Sequence, residues 1–149
     1  MSGEAAYLDT AFLFRLYWED PGFEKIEAFA ASRSHLTCAL QGRAELLSCA
    51  HRKYREGYIT KKDLQILLDQ LQIDVDAGAI DWLPLTPAIL NRIEKIYRRA
   101  PANSYLRAAD AIHLATAADY GVDSIYSNDR HLLKAASLFG LNGRNLLDE

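Results

Sequence analysis

Short apolar segments alternate with longer segments of helical periodicity along most of the chain, and this alternation limits the folds open to it. Residues 5–8, 34–40, 80–85 and 124–127 are predicted strands, because each is short, apolar and bounded by polar or turn-forming residues. The segments between them carry apolar residues at the spacing of amphipathic helices. Strands that alternate with helices need crossover connections. The sequence therefore predicts an α/β fold with a mainly parallel sheet covered by helices on both faces.

Local signals mark where several of the helices begin and end. Thr60 is the predicted N-cap of one helix, and Thr86 with Pro87 begins the next, because a hydroxyl cap and a first-turn proline both favour a helix start. Residues 131–139 form the last predicted helix. The tail, residues 141–149, is short and polar and is assigned no element.

Composition bounds the class of protein. Half of the 149 residues are apolar, which suits a single domain, residues 1–149, with a substantial core. Cys38 and Cys49 form no zinc-binding pattern, so a reducing cytoplasm is the expected location. The N-terminal apolar run lacks a preceding basic region and is interrupted by Arg15, so we expect neither a signal peptide nor a membrane span. The net charge of −3 disfavours a protein that coats nucleic acid, but it allows acids at a site with bases around it.

Four acidic residues are placed for chemistry if the sheet is parallel. Asp9 and Asp129 follow the first and last predicted strands, while Glu45 and Asp110 lie on helices that begin at the same sheet edge, where ligands bind in such folds. Like charges this close raise one another's pKa unless a cation neutralises them, and carboxylate oxygens suit Mg²⁺ or Mn²⁺. The predicted reaction is metal-assisted hydrolysis of a phosphodiester bond.

Each acid also has an ordinary structural interpretation. Asp9 can cap the helix that follows it, Glu45 can be a solvated helix residue, and Asp129 can be a turn former. Asp110 lies in an apolar helix, where a lone carboxylate is costly to bury, but Arg107 is three residues away and can pair with it.

Other polar residues near the acids are candidates for supporting roles. His113 lies near the same helix side as Asp110, and we expect a hydrogen-bonded core histidine rather than a catalytic base, because a metal can supply the hydroxide. Two groups of basic residues on helices could track phosphates, although each such group is more often simply a solvated helix face. Within these groups, Arg43 and Arg107 are the predicted RNA-binding residues, because they lie close in sequence to the acids.

The N-terminal segment is unusually rich in large apolar residues. Residues 12–18 contain more of them than one buried helix stripe requires, so part of this surface is expected to meet a partner.

Four motifs in order resemble a known family. They are residues 7–10 (YLDT), the Glu45 helix after residues 34–40 (SHLTCAL), residues 106–117 (LRAADAIHLATA), and residues 127–132 (SNDRHL). Together they resemble the PIN-domain ribonucleases, particularly the VapC-type toxins of type II toxin-antitoxin pairs. The resemblance spans nearly the whole chain, and residues 110–117 are its most diagnostic part.

The resemblance implies a PIN-like three-layer α/β/α sandwich and Mg²⁺- or Mn²⁺-dependent endoribonuclease activity on single-stranded RNA. It implies catalytic, metal-ligating roles for Asp9, Glu45, Asp110 and Asp129, and supporting roles for Thr10, Ser127 and Asn128. It also implies two protein partners, a second copy of the chain and a small antitoxin whose tail lies across the site.

The sequence departs from the family pattern at three places. Ser127 stands where Thr is more frequent, Arg130 follows Asp129 so that no further acid adjoins it, and the closing strand is poorly formed in residues 140–144.

Two other functions are compatible with such a sheet. One is a catalytically silent PIN-like binding module that acts through a protein partner. The other is a phosphatase with an aspartyl nucleophile at Asp9, but that chemistry requires a second acid two positions later, where the chain has Ala11.

Overall fold

A computed structural model describes residues 4–149, which form a five-stranded, all-parallel sheet with the strand order β3-β2-β1-β4-β5. The strands are β1 (Ala6–Leu8), β2 (Leu36–Ala39), β3 (Ile80–Leu83), β4 (Ser124–Tyr126) and β5 (Asn142–Arg144). Each of the first four is shorter than its predicted segment.

Helices connect the strands and give the α/β/α sandwich that the sequence predicts. They are α1 (Thr10–Phe14), α2 (Phe23–Ala31), α3 (Gln41–Arg55), α4 (Lys61–Ala77), α5 (Pro87–Arg99), α6 (Ala108–Tyr120) and α7 (Arg130–Ala135). The predicted caps are confirmed at two helices: Thr60 forms a capping box with Asp63 at the start of α4, and Thr86 accepts a hydrogen bond from the Ile89 amide at the start of α5.

The centre of the sheet is the centre of the core. Strand β1 lies between β2 and β4, and its three residues are fully buried. Helix α6 contributes more buried residues than any other helix, seven of them between Asp110 and Ala117. Because α6 ends beside the start of β4, its first turn lies at the carboxyl edge of the parallel sheet.

The structure corrects the expectations for the C-terminal region. Residues 142–144 form an edge strand parallel to β4, although the sequence predicts none there. The signal is missing because Asn142, Gly143 and Arg144 are all exposed and include none of the apolar residues that mark the first four strands. The predicted helix 131–139 also divides, with α7 ending at Ala135 and a 3₁₀ turn, Ala136–Phe139, following it.

The expectation that residues 12–18 are partly a partner surface is wrong for three of them. Phe12, Leu13 and Phe14 are buried, because the five-residue α1 is covered on all sides rather than along one stripe. Leu16, Tyr17 and Trp18 are partly buried against the same core. Across residues 4–149, no helix is both long and apolar enough to cross a membrane.

The edge strand β5 packs closely against α7 at Gly143. A Cβ atom at Gly143 would lie 2.8 Å from the backbone oxygen of Leu133 and 3.0 Å from its Cα, so Gly143→Ala forces β5 away from α7. We expect this substitution to lower the free energy of unfolding by about 1–3 kcal/mol, the usual cost of overpacking. Urea unfolding followed by circular dichroism measures it.

The matched control is Asn142→Ala, an exposed position in the same strand, which should change stability by less than about 0.5 kcal/mol. Equal stability of the two variants would contradict the packing of β5 against Leu133.

Candidate functional site

Asp9 lies at the carboxyl end of the central strand β1 and caps α1. Its Oδ1 accepts the Thr10 amide hydrogen at 2.7 Å, and its Oδ2 accepts a hydrogen bond from the Ser127 hydroxyl at 2.7 Å. Only 13% of the Asp9 side chain is exposed. The capping interpretation of Asp9 is therefore correct, and the same carboxylate remains directed toward the sheet edge where the other acids lie.

Ser127 connects Asp9 to the segment that carries Asp129. Its buried hydroxyl donates to Asp9 and accepts the Asp129 amide hydrogen at 2.9 Å. Its own amide donates to the carbonyl of Arg144 in β5 at 3.0 Å. The next residue, Asn128, is exposed.

Glu45 projects from the second turn of α3 toward Asp9. Its Oε1 accepts hydrogen bonds from the Thr10 hydroxyl at 2.9 Å and from His113 Nε2 at 2.6 Å. Thr10 therefore contacts both acids, with its amide on Asp9 and its hydroxyl on Glu45. The structure brings these two sequence-predicted acids together, with Thr10 beside them.

His113 is a buried, fully hydrogen-bonded residue behind this pair. Its Nδ1 lies 2.6 Å from the Tyr7 hydroxyl, which also accepts the Ala39 amide hydrogen at 2.9 Å. Cys38 Sγ lies 3.9 Å from the same ring nitrogen. Sequence reasoning does not find Tyr7, because a tyrosine in an apolar strand has the pattern of an ordinary core residue.

The charges of this group depend on one another. Burial raises the pKa of Asp9, and the charge of His113 and the hydrogen bonds from Ser127 and Thr10 offset only part of that rise. Burial also raises the pKa of Glu45, but the hydrogen bond and charge of His113 outweigh it, so the pKa of Glu45 is lowered. Burial lowers the pKa of His113, whereas hydrogen bonds to Cys38 and Glu45 raise it well above its ordinary value.

Asp110 and Asp129 form a second acidic pair, held by one guanidinium group. Arg107 Nε donates to Asp110 Oδ2 at 2.9 Å, and Arg107 Nη2 donates to Asp129 Oδ2 at 2.7 Å. Asp110 is buried in the first turn of α6, and Asp129 caps α7 by accepting the amide hydrogens of His131 and Leu132. The pairing of Asp110 with Arg107 is one of the alternatives that the sequence leaves open.

The four predicted acids thus lie at one edge of the sheet as two pairs, Asp9 with Glu45 and Asp110 with Asp129. Within residues 4–149, no group of three or more acidic, histidine or cysteine residues has the geometry of a metal site. Arg43 is exposed on α3, where it borders an apolar groove with Tyr17 and Trp82.

The chemistry of the donor set nevertheless suits a hard divalent cation. All four side chains offer carboxylate oxygens, the ligands that Mg²⁺ and Mn²⁺ prefer. Asp9 is nearly buried, and in the described part of the chain its one cationic neighbour within 4.0 Å is His113 Nε2, at 3.9 Å. A cation at this edge would offset the cost of burying that charge.

The sequence matches the PIN domain family over residues 6–138. The fold is similar to the crystal structure of FitAcB from Neisseria gonorrhoeae, with a TM-score of 0.73 and 18% identity, covering 97% of this chain and 99% of that one. It is also similar to the structure of FitAB bound to an IR36 DNA fragment, with a TM-score of 0.67 and 17% identity, covering 95% and 94%.

No curated protein shows significant similarity to the sequence. The family match covers most of the chain, and the parallel sheet with its acidic carboxyl edge agrees with it. This chain belongs to the PIN domain family.

Proposed function

We propose that this protein is a divalent-metal-dependent endoribonuclease that hydrolyses phosphodiester bonds in single-stranded RNA. The observation that carries the proposal is the gathering of Asp9, Glu45, Asp110 and Asp129 at the carboxyl edge of a parallel sheet in a PIN domain. PIN domains are generally nucleases. Four carboxylates repel the phosphates of RNA, so phosphodiester chemistry at this edge requires cations.

Asp9, Asp110, Asp129 and Glu45 are the residues that would hold Mg²⁺ or Mn²⁺. Bound there, such an ion would lower the pKa of a water molecule and stabilise negative charge on the phosphodiester oxygens. Thr10 and Ser127 would fix the orientation of the ligands, since each donates a hydrogen bond to one of the acids.

Arg107 is the residue that must rearrange. In the structure its guanidinium group neutralises Asp110 and Asp129, where a divalent cation would otherwise act. Half of its side chain is exposed, so its release costs no core packing. Once the acids bind a cation, the guanidinium is free to form a bidentate pair with an RNA phosphate, which supports the proposed RNA-binding role of Arg107.

His113 has a positioning role in this proposal. Its raised pKa favours the protonated form, which donates from Nε2 to Glu45 at 2.6 Å. His113 thereby favours the ionised form of Glu45 and fixes the orientation of its carboxylate. His113 is buried behind the acids, so we assign it no proton transfer with RNA.

We also propose that the protein acts in the cytoplasm as the toxin of a toxin-antitoxin pair, restrained by a small antitoxin, and that it forms a homodimer. The similarity of its fold to chains from FitAB, a toxin-antitoxin complex, supports this proposal.

A catalytically silent binding module is the alternative, and one observation favours it. Arg107 already neutralises two of the four acids, so a chain that never binds metal would be stable in this arrangement. Metal-dependent cleavage separates the two functions.

Asp110→Asn tests the nuclease directly. The amide keeps the size of the side chain but loses the charge that would hold the cation, so we expect cleavage of single-stranded RNA to fall at least about 100-fold, more than the loss of an outer-shell partner causes. The measurement is cleavage of total RNA and of a labelled oligonucleotide with Mg²⁺ or Mn²⁺, repeated with EDTA.

The control is Asp119→Asn, the same change in the same helix at a half-exposed position far from the sheet's carboxyl edge. It should cleave RNA like the wild type. Absence of cleavage by the wild type with either metal, or cleavage that persists in EDTA, would refute the proposed nuclease.

The pair formed by His113 and Glu45 predicts a pH dependence of stability. Because the pKa of His113 is raised in the folded protein, its contribution to stability is complete below its unfolded pKa of about 6.5 and is lost as the pH rises through the folded value. We expect the difference in melting temperature between the wild type and His113→Gln to shrink as the pH rises from about 5.5 to about 9.

Glutamine retains an amide donor for Glu45 but carries no charge, so the comparison isolates the charge. Melting curves in EDTA exclude any contribution from bound metal. A difference that stays constant with pH would show that His113 is neutral in the folded protein.

A further inference from the structure

Tyr105 is an exposed aromatic residue beside the acidic edge. It lies in the loop between α5 and α6, two residues before Arg107, and 56% of it is exposed. A single exposed aromatic residue is ordinary on a protein surface, but this one lies two residues from an arginine that pairs with two of the acids.

The ring of Tyr105 packs against residues that contact Asp129. Its centroid lies 4.3 Å from that of the His131 ring, with an angle of 43° between the planes, and Arg107 Cζ lies 5.7 Å from the Tyr105 centroid. His131 donates its amide hydrogen to Asp129, and Arg107 pairs with the same carboxylate. The two rings are therefore held next to the proposed site of cleavage.

A cleft of about 340 Å³ borders the two rings. Besides the two rings, its polar lining residues are Asn103, Ser104, Lys134 and Ser137, and none of the described residues that line it is acidic. Lys134 is exposed on α7, one turn after His131. The cleft thus offers π-faces, amide and hydroxyl groups and one positive charge beside a strongly acidic edge.

This combination has the chemistry of a subsite for one nucleotide. Bases of single-stranded nucleic acids stack on aromatic side chains, while lysine and arginine neutralise the adjoining phosphates. A base in a duplex is already stacked and cannot reach such a ring.

We propose that Tyr105 and His131 form a stacking site for the base of a nucleotide that flanks the cleaved bond, with Lys134 close to its phosphate. This inference rests on the proposed function and deepens it, because it gives the sheet edge a structural reason to select single strands.

Binding without cleavage tests the site. The full chain in EDTA at low salt is titrated into a fluorescein-labelled single-stranded oligoribonucleotide, and anisotropy gives the Kd. We expect Tyr105→Ala to raise the Kd by about 5- to 150-fold, the range for loss of one base–aromatic stack, and Tyr105→Phe to bind like the wild type. The same oligonucleotide in a duplex should bind more weakly to the wild type and show no difference between the variants.

Tyr58→Ala is the matched control. Tyr58 is also exposed, at 67%, and also lies near a cation, with Lys53 Nζ 5.1 Å from its centroid, but it follows the far end of α3. The Tyr58→Ala substitution should leave the Kd for the oligoribonucleotide unchanged. Replacing single nucleotides by abasic ones should identify one position at which the wild type loses affinity and Tyr105→Ala does not.

The outcomes separate this inference from the nuclease. Equal affinity of the wild type, Tyr105→Ala and Tyr58→Ala overturns the stacking site, as does equal weakening by Tyr105→Phe and Tyr105→Ala, or no binding by the wild type. Loss of affinity in Tyr105→Ala without any metal-dependent cleavage by the wild type would support the stacking site and refute the nuclease.

Discussion

The hydrogen bonds of one buried hydroxyl group organise the carboxyl edge of this sheet. Ser127 donates to Asp9 and accepts from the Asp129 amide, while its own amide is held by the carbonyl of Arg144. Through its hydroxyl and its amide, Ser127 therefore joins the ends of β1, β4 and β5. A buried hydroxyl left without partners is costly, so these bonds fix the relative positions of the acids. The three-residue edge strand β5 thus affects a site to which it contributes no acidic side chain.

Charge balance explains why the acids form two pairs. Asp9 and Glu45 share Thr10 and the buried His113, while Asp110 and Asp129 share the half-exposed Arg107. The first pair depends on His113, which is buried and cannot leave the core. The second depends on a cation that can turn toward solvent. Because Arg107 can leave its two carboxylates, it is the residue whose contacts we expect a bound metal ion or RNA phosphate to change.

Most of the fold could be predicted from the sequence, because four strands and the caps at Thr60 and Thr86 carry local signals. The β5 strand could not, since its three residues are exposed and none of them is apolar. The clustering of acids at one edge followed from strand parallelism. Their division into pairs did not, because it depends on Arg107 reaching across to Asp129, 22 residues away in the chain. Tyr7 was missed for a similar reason: its role lies in a tertiary contact with His113.

Our proposal requires that the carboxyl edge of the sheet binds a divalent metal once Arg107 moves away. Anomalous diffraction from crystals of the protein soaked in Mn²⁺, recorded at the manganese edge, can detect such an ion. We expect a peak bounded by the carboxylates of Asp9 and Asp110, with the Arg107 guanidinium displaced from Asp110. No peak at this edge, with Arg107 still bonded to both Asp110 and Asp129, would show that the acids do not bind the metal.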